Sequence, residues 1–168
     1  SLTHRLRVQE NRVFLREQRA QTLYRITRTL ALARTREDVL SALPEALSDA
    51  LSMPSSILVP NKLVPGLLEA RRGTFPIGQK ELGVATWVLS NGRPAGRGTE
   101  TLSSAEGYYF PLVVAGRTLG VAALGIEKTR LVPRDVLSLV ENIAQQAAVA
   151  LEREEYRERT VDVEVLRR

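Results

Sequence analysis

The run Leu119-Gly-Val-Ala-Ala-Leu-Gly-Ile126 contains no polar side chain. It is too short for a membrane span and too uniformly apolar for a half-exposed strand. Such a segment reads as a central strand covered on both faces. Its partner is Tyr108–Val114, reached from Arg117 across the two-residue turn Ala115-Gly116, the loop length that hairpins favour. A small α/β domain has to be built around this hairpin, and the rest of the chain is read for what covers it.

Residues 4–34 hold neither Gly nor Pro and read as one long helix. Leu23, Ile26, Leu30 and Ala33 fall at heptad spacing, and Leu6, Val13 and Ala20 keep a seven-residue step upstream. A weak two-stranded coiled coil fits this pattern, with a helix lying along its own domain as the alternative. Thr35-Arg-Glu-Asp38 matches a capping box. The helix it opens runs to about Ser52, with Val39, Leu40, Leu43, Leu47, Ala50 and Leu51 on one face and Pro44 expected to kink it. Ser56–Val59 reads as a strand closed by Pro60. Leu63–Ala70 reads as a second strand, at an edge or bulged because of Pro65, and Arg71–Pro76 as a loop. Gln79–Ser90 forms a third helix that Asn91-Gly92 ends. Trp87 on it is core or, alternatively, the wall of a pocket. Pro133 opens the last helix. Its stripe Val136, Val140, Ile143, Ala147, Ala150 ends at Leu151, the last strong core position. Beyond a charged run, Val161 and Val165 resume the phase, which calls for a partner helix.

Composition narrows the chemistry. The chain has no cysteine, which excludes disulfides, zinc-thiolate sites, thiol catalysis and thioether-linked chromophores. With a single histidine, His4, near one end, a Ser-His-Asp triad or histidine-ligated haem has little to stand on. No apolar run approaches the roughly 18 residues of a membrane span. Ser1–His4 lacks the features of a signal peptide, so the chain reads as a piece of a longer one. The net charge of +5 is uneven: Arg5, Arg7, Arg12, Arg16, Arg19, Arg25, Arg28, Arg34 and Arg36 crowd one end. Such a helix suits anionic lipid headgroups or simple solvation. Nucleic acid would call for interleaved aromatics or a recognition helix, and the sequence offers neither.

Arg93-Pro-Ala-Gly-Arg-Gly-Thr-Glu-Thr-Leu102 is the stretch whose composition needs more than helix or strand formation. Gly92, Gly96 and Gly98 allow positive φ and close backbone approach. Arg93 and Arg97 offer forked donors, and Thr99 and Thr101 hydroxyls, a set suited to a small anionic ligand. The alternative is a structural lid with glycines for turns and threonines for local caps. The Gly-Lys-Ser/Thr ending of a phosphate loop is missing. With Trp87 and Tyr109 beside them, Arg93, Gly96, Arg97, Gly98, Thr99 and Thr101 are the candidate ligand-binding residues. No catalytic residue, metal ligand or cofactor is expected.

Pro111-Leu112, Gly116, Leu119-Gly120-Val121 and the helix carrying Ile143-Ala-Gln-Gln-Ala-Ala-Val-Ala-Leu-Glu152 together resemble a GAF domain over residues 35–152. Ala85-Thr-Trp-Val88 and Asn91-Gly-Arg-Pro-Ala-Gly-Arg-Gly-Thr-Glu-Thr-Leu102 are similar to the GAF region of the KdpD-like family of sensor histidine kinases. That family carries a Gly-x-Pro-Ala-Gly-x-Gly-Thr-(Asp/Glu)-Thr-Leu loop after a tryptophan-bearing helix. The resemblance implies an α+β fold: an antiparallel sheet of about five or six strands, helices on one face, a ligand-sized cleft on the other. It also implies flanking signalling helices, residues 1–34 before the domain and 153–168 as the start of a coiled coil after it. By the same resemblance the domain is a cytoplasmic part of an inner-membrane kinase, a homodimer through its terminal helices, relaying a potassium or osmotic signal to the kinase core. His4 is followed by Arg5 rather than an acidic residue, so it does not read as a phosphoacceptor, and the fragment is expected to be no enzyme. The bilin and methionine sulfoxide reductase members of the wider family need cysteines. The cyclic-nucleotide motif begins as Asn61-Lys62 does, but has an acidic pair where this chain has Gln79-Lys80. A ligand-free dimerisation or spacer module is the rival reading.

Overall fold

The computed structural model describes residues 2–167, apart from the side chains of residues 11–15. The expected seam position Val13 and the charge of Arg12 lie outside the described side chains. The elements in chain order are α1 (Leu2–Leu32), α2 (Arg36–Leu51), β1 (Ser55–Pro60), β2 (Leu68–Gly73), α3 (Gln79–Asn91), β3 (Ala95–Gly96), β4 (Gly107–Val114), β5 (Arg117–Gly125) and α4 (Arg134–Arg167). The strands form one antiparallel sheet in the order β2-β1-β5-β4-β3.

β5 is the central strand, paired with β1 on one side and β4 on the other. Its two faces meet different layers. Ala122 and Leu124, with Ile57, Val59, Tyr108 and Phe110, pack against buried residues of α1, α2 and α4. Val121 and Ala123, with Leu58 and Tyr109, pack against Val84, Ala85 and Val88 of α3. Three helices therefore share one face, as expected. The opposite face, where the resemblance implied a ligand-sized cleft, is packed by α3 and the segments around it. A strand apolar on both sides requires such cover, because an uncovered face would stand against water. The hairpin turn has Ala115 at φ 50 and Gly116 at φ 76, the doubly left-handed geometry that matches strand twist.

Local signals explain the element ends. The Asp38 amide donates to Thr35 Oγ1 at 3.1 Å and the Thr35 amide to Asp38 Oδ2 at 3.2 Å, completing the capping box of α2. Gly92 closes α3 at φ 64. β2 begins at Leu68 rather than Leu63 and continues through Gly73, so the expected second strand is displaced along the chain. The cause is Asn61. Its Oδ1 accepts the amides of Leu63 at 2.8 Å and Val64 at 3.0 Å, and its own amide donates to the Leu67 carbonyl at 2.7 Å. An asparagine that binds its own downstream backbone makes a turn of the residues it holds, so Pro65 falls in that turn and not in the strand.

The heptad fragment of α1 is spent within the chain. Ile26, Leu30 and Ala33 are buried in the main core and Leu23 packs on it. The matching face of α4 carries Leu139, Val140, Ile143, Ala144, Ala147, Ala148, Ala150 and Leu151, all buried. α1 and α4 run in the same direction. Arg19, past the middle of α1, has its Nη1 3.0 Å from Oδ2 of Asp135 at the start of α4. At the end of α1, Arg153 Nη2 donates to the carbonyls of Leu30 at 3.1 Å and Ala33 at 3.0 Å. Among the described residues no helix is long and apolar enough to cross a membrane.

Candidate functional site

The Gly-rich stretch folds into a compact knot on the edge of β4. Ala95-Gly96 form β3 by pairing with Tyr109 and Tyr108. Gly96 adopts φ 102, and a Cβ there would stand 2.2 Å from the Gly107 carbonyl oxygen, so this position admits only glycine. The knot's polar groups bond to one another. The Gly96 amide donates to Thr101 O at 2.9 Å, Arg97 N to Gly107 O at 2.8 Å and Thr99 N to Gly96 O at 3.1 Å. The Thr99 hydroxyl lies 2.8 Å from Gly96 O and 2.7 Å from Thr101 O, and accepts the Thr101 amide at 3.1 Å. The Arg97 guanidinium donates to the Ile126 carbonyl, tying the knot to the end of β5.

The expected residues thus separate. Gly96, Arg97, Thr99 and Thr101 come together, with the amides of Gly96, Thr99 and Thr101 and the Thr99 hydroxyl turned into the loop and the Arg97 amide bonded to Gly107. Gly98 (φ 85) and Arg93 are exposed. Trp87 is half-buried on α3, beside the second core cluster. Tyr109 is wholly buried beneath the knot, where its hydroxyl donates to Glu81 Oε1 at 3.0 Å.

Glu81 is the residue that sequence reasoning missed. It lies in the first turn of α3 and is only 6% exposed. Its Oε1 accepts the Glu106 amide at 3.0 Å and the Gly107 amide at 2.9 Å in addition to the Tyr109 hydroxyl. Its Oε2 is buried and has no hydrogen-bond partner among the described residues. Burial first, then the Glu81 carboxylate, pushes the Tyr109 phenol well above its ordinary range, so the phenol stays a donor. The signal was present in the sequence: Glu81 shares the helical face of Val84, Ala85 and Val88. Over the neighbouring floor lies Phe75. A Cβ on Gly107 would be 2.8 Å, and one on Gly125 2.6 Å, from atoms of its ring. Gly107 and Gly125 are register partners in β4 and β5, so two bare backbones side by side make the seat of this ring.

A second buried carboxylate marks the place where α4 leaves the sheet. Glu154 is 1% exposed, and its Oε1 lies 2.8 Å from Arg153 Nε and 3.3 Å from Arg157 Nη1. The same Arg153 holds the last carbonyls of α1, groups that a helix end leaves without intrahelical partners. Next to this clamp a surface groove runs between Arg36, Lys62 and Arg117 on the domain and Glu155, Glu158 and Asp162 on α4. Among the described residues no group of three or more His, Asp or Glu side chains is placed to hold a metal ion.

No protein-family model matches the chain. It is 29% identical over 161 residues to the sensor protein KdpD of Clostridium acetobutylicum, covering 92% of this chain and 18% of that protein. It is also 29% identical over 158 residues to the sensor protein KdpD of Escherichia coli, covering 91% of this chain and 17% of the relative. The chain thus spans less than a fifth of either. Among solved structures it resembles the GAF domain of the potassium sensor histidine kinase KdpD from Escherichia coli, with a TM-score of 0.71 and 25% identity over 84% of this chain and 99% of the other. The GAF domain of a phosphoenolpyruvate-protein phosphotransferase from Coxiella burnetii shares the fold at 13% identity, with a TM-score of 0.67 over 84% of this chain and 97% of that one.

Proposed function

Given that this chain is a KdpD-like GAF domain, we propose that it is a non-catalytic relay domain, on the cytoplasmic side, of a membrane-anchored sensor histidine kinase responding to potassium or osmotic stress. One observation carries the reading: Arg153 joins the last carbonyls of the incoming helix α1 to the buried Glu154 of the outgoing helix α4. A change in the pitch or register of α1 is then felt by α4 directly, and a coupling of about 1–3 kcal/mol suffices to shift a two-state output. The basic residues at the start of α1 suit the cytoplasmic flank of a membrane helix. Val161 and Val165, exposed past the clamp, suit a homodimer seam leading to the kinase core. Arg93 and Gly98, exposed on the knot, leave a place for a small anion or a protein contact, while the knot's inward bonding suits a lid.

The test is made in the kinase that carries the domain. Arg153→Ala, with the exposed Lys128→Ala as a surface control, is compared with wild type for autophosphorylation under low and high potassium. The expected result is a response to potassium reduced several-fold by Arg153→Ala and unchanged by Lys128→Ala, with both proteins folded by circular dichroism. An undiminished response in Arg153→Ala removes the relay reading.

A further inference from the structure

Where α4 leaves the domain, charge is divided across a groove of about 390 Å³, with Arg36, Lys62 and Arg117 on one wall and Glu155, Glu158 and Asp162 on the other. Pro60 and the nearly buried Leu119 supply its apolar lining. The cations come from three places: Arg36 opens α2, Lys62 lies in the Asn61 turn and Arg117 opens β5. Their backbones are held there by the capping box, the Asn61 side chain and the hairpin. The acids follow one another at three and four residues, so they share one face of α4. Arg159, the remaining charge of the groove, lies farther round the helix from the core stripe than any of them.

Among the described residues no ion pair closes this groove. Arg117 reaches α4 only at Glu152, 3.7 Å away and outside the lining, while Arg36, Lys62, Glu155, Glu158 and Asp162 form no ion pair. Opposite charges within reach would close on one another, so the walls are held apart by the backbones that carry them. Like charges three and four residues apart also strain the helix that bears them. A molecule positive at one end and negative at the other relieves both walls at once. A lone anion or cation is attracted by one wall and repelled by the other. The acids are not placed to share a metal ion. An α-amino acid carries both charges on one carbon, too close together to span walls that stand beyond ion-pair distance.

We infer that this groove binds an ω-amino acid, a zwitterion whose ammonium and carboxylate are separated by a short alkyl chain. The carboxylate faces Arg36, Lys62 and Arg117, the ammonium faces Glu155, Glu158 and Asp162, and the chain lies along Pro60 and Leu119. One wall belongs to the domain and the other to α4, so the ligand fastens the outgoing helix to the domain. Lys62, Glu158 and Asp162 also line a second depression that reaches the buried Glu154, which places the bound molecule beside the Arg153 clamp. The site is separate from the Arg93–Leu102 knot and stands whether or not α4 drives a kinase.

The probe is γ-aminobutyrate, with butyrate and butylamine as its single-charge counterparts and glycine as the short zwitterion. Binding to the 168-residue chain is measured by calorimetry at low ionic strength, because salt screens exposed charges. NMR shifts of the Lys62 and Leu119 amides locate it. Lys62→Ala and Glu158→Gln each remove one charge from one wall, and both side chains are exposed, so neither holds the fold. The expected result is γ-aminobutyrate binding at least tenfold tighter than each of the other three, with both amides moving. Each substitution should weaken that binding several-fold. Absence of γ-aminobutyrate binding overturns the proposal, as does equal affinity for any of the other three compounds. Binding that neither substitution weakens, or that moves only amides outside the groove, overturns it as well.

Discussion

Gly96 shows how tightly the knot is specified. Its φ of 102 and the 2.2 Å approach that a Cβ would make to the Gly107 carbonyl leave no compensating side-chain movement, since the obstacle is backbone. Gly96→Ala must break the two-residue pairing of β3 with β4 or move the loop, and positions of this kind cost at least about 1–3 kcal/mol. We expect a loss of that order in urea unfolding, whereas Gly98→Ala, at φ 85 with open space around it, carries only the backbone strain. Equal effects at the two positions would mean that the knot is not clamped against Gly107. Ala115 holds φ 50 in the hairpin turn without being glycine or asparagine, a local strain that the long β4–β5 pairing overrides.

At the level of elements, helices were legible wherever period and punctuation agreed. Thr35–Asp38 began α2, Gly92 ended α3 and Pro133 preceded α4, each by a mechanism that acts within a few residues. β2 was misplaced because one asparagine side chain, not the apolar pattern, fixes where that strand begins. The two-residue β3 escaped notice because it has no pattern at all and exists only through its pairing with β4. In the candidate site the glycine and threonine positions were legible as a loop, and both a ligand site and a structural lid were read from them; composition could not choose, since donors that face a ligand and donors that face each other are the same residues. Glu81 and Glu154 were overlooked for a shared reason. Each continues an apolar stripe, Glu81 before Val84 and Val88, Glu154 after Ala147 and Leu151, and a charge in that phase is a buried charge. The Glu154 case makes an asymmetric prediction. Glu154→Leu extends the stripe and leaves two partly exposed arginines free to reach water, so the change in unfolding free energy should stay within about 1 kcal/mol. Arg153→Leu with Arg157→Leu strands the carboxylate and should cost about 3–5 kcal/mol. Similar costs for the two variants in chemical denaturation would show that the cluster is not a buried pair.

For the molecule as a whole, the two adjacent tyrosines of β4 set the response to alkali. Burial first, then Glu141, pushes the Tyr108 phenol up to about 12, and Tyr109 is also raised, by burial and then Glu81. In the unfolded chain both ionise near pH 10. Above that pH the unfolded state binds fewer protons than the native one, so stability falls as pH rises from about 10 toward 12, by up to about 1.4 kcal/mol per unit for each tyrosine. Urea midpoints at pH 9, 10 and 11 check this, and Tyr108→Phe should make the decline shallower. A flat profile would contradict the burial of both phenols. The parallel course of α1 and α4 has a mechanical consequence. Between the Arg19–Asp135 pair and the Arg153 clamp the chain advances 14 residues along α1 and 18 along α4, about 21 and 27 Å of helix. In the relay proposed above, an axial push on α1 passes to α4 at both of these points, whereas a change on the α3 side of the sheet has to pass through the buried residues of α4 that pack on its other face.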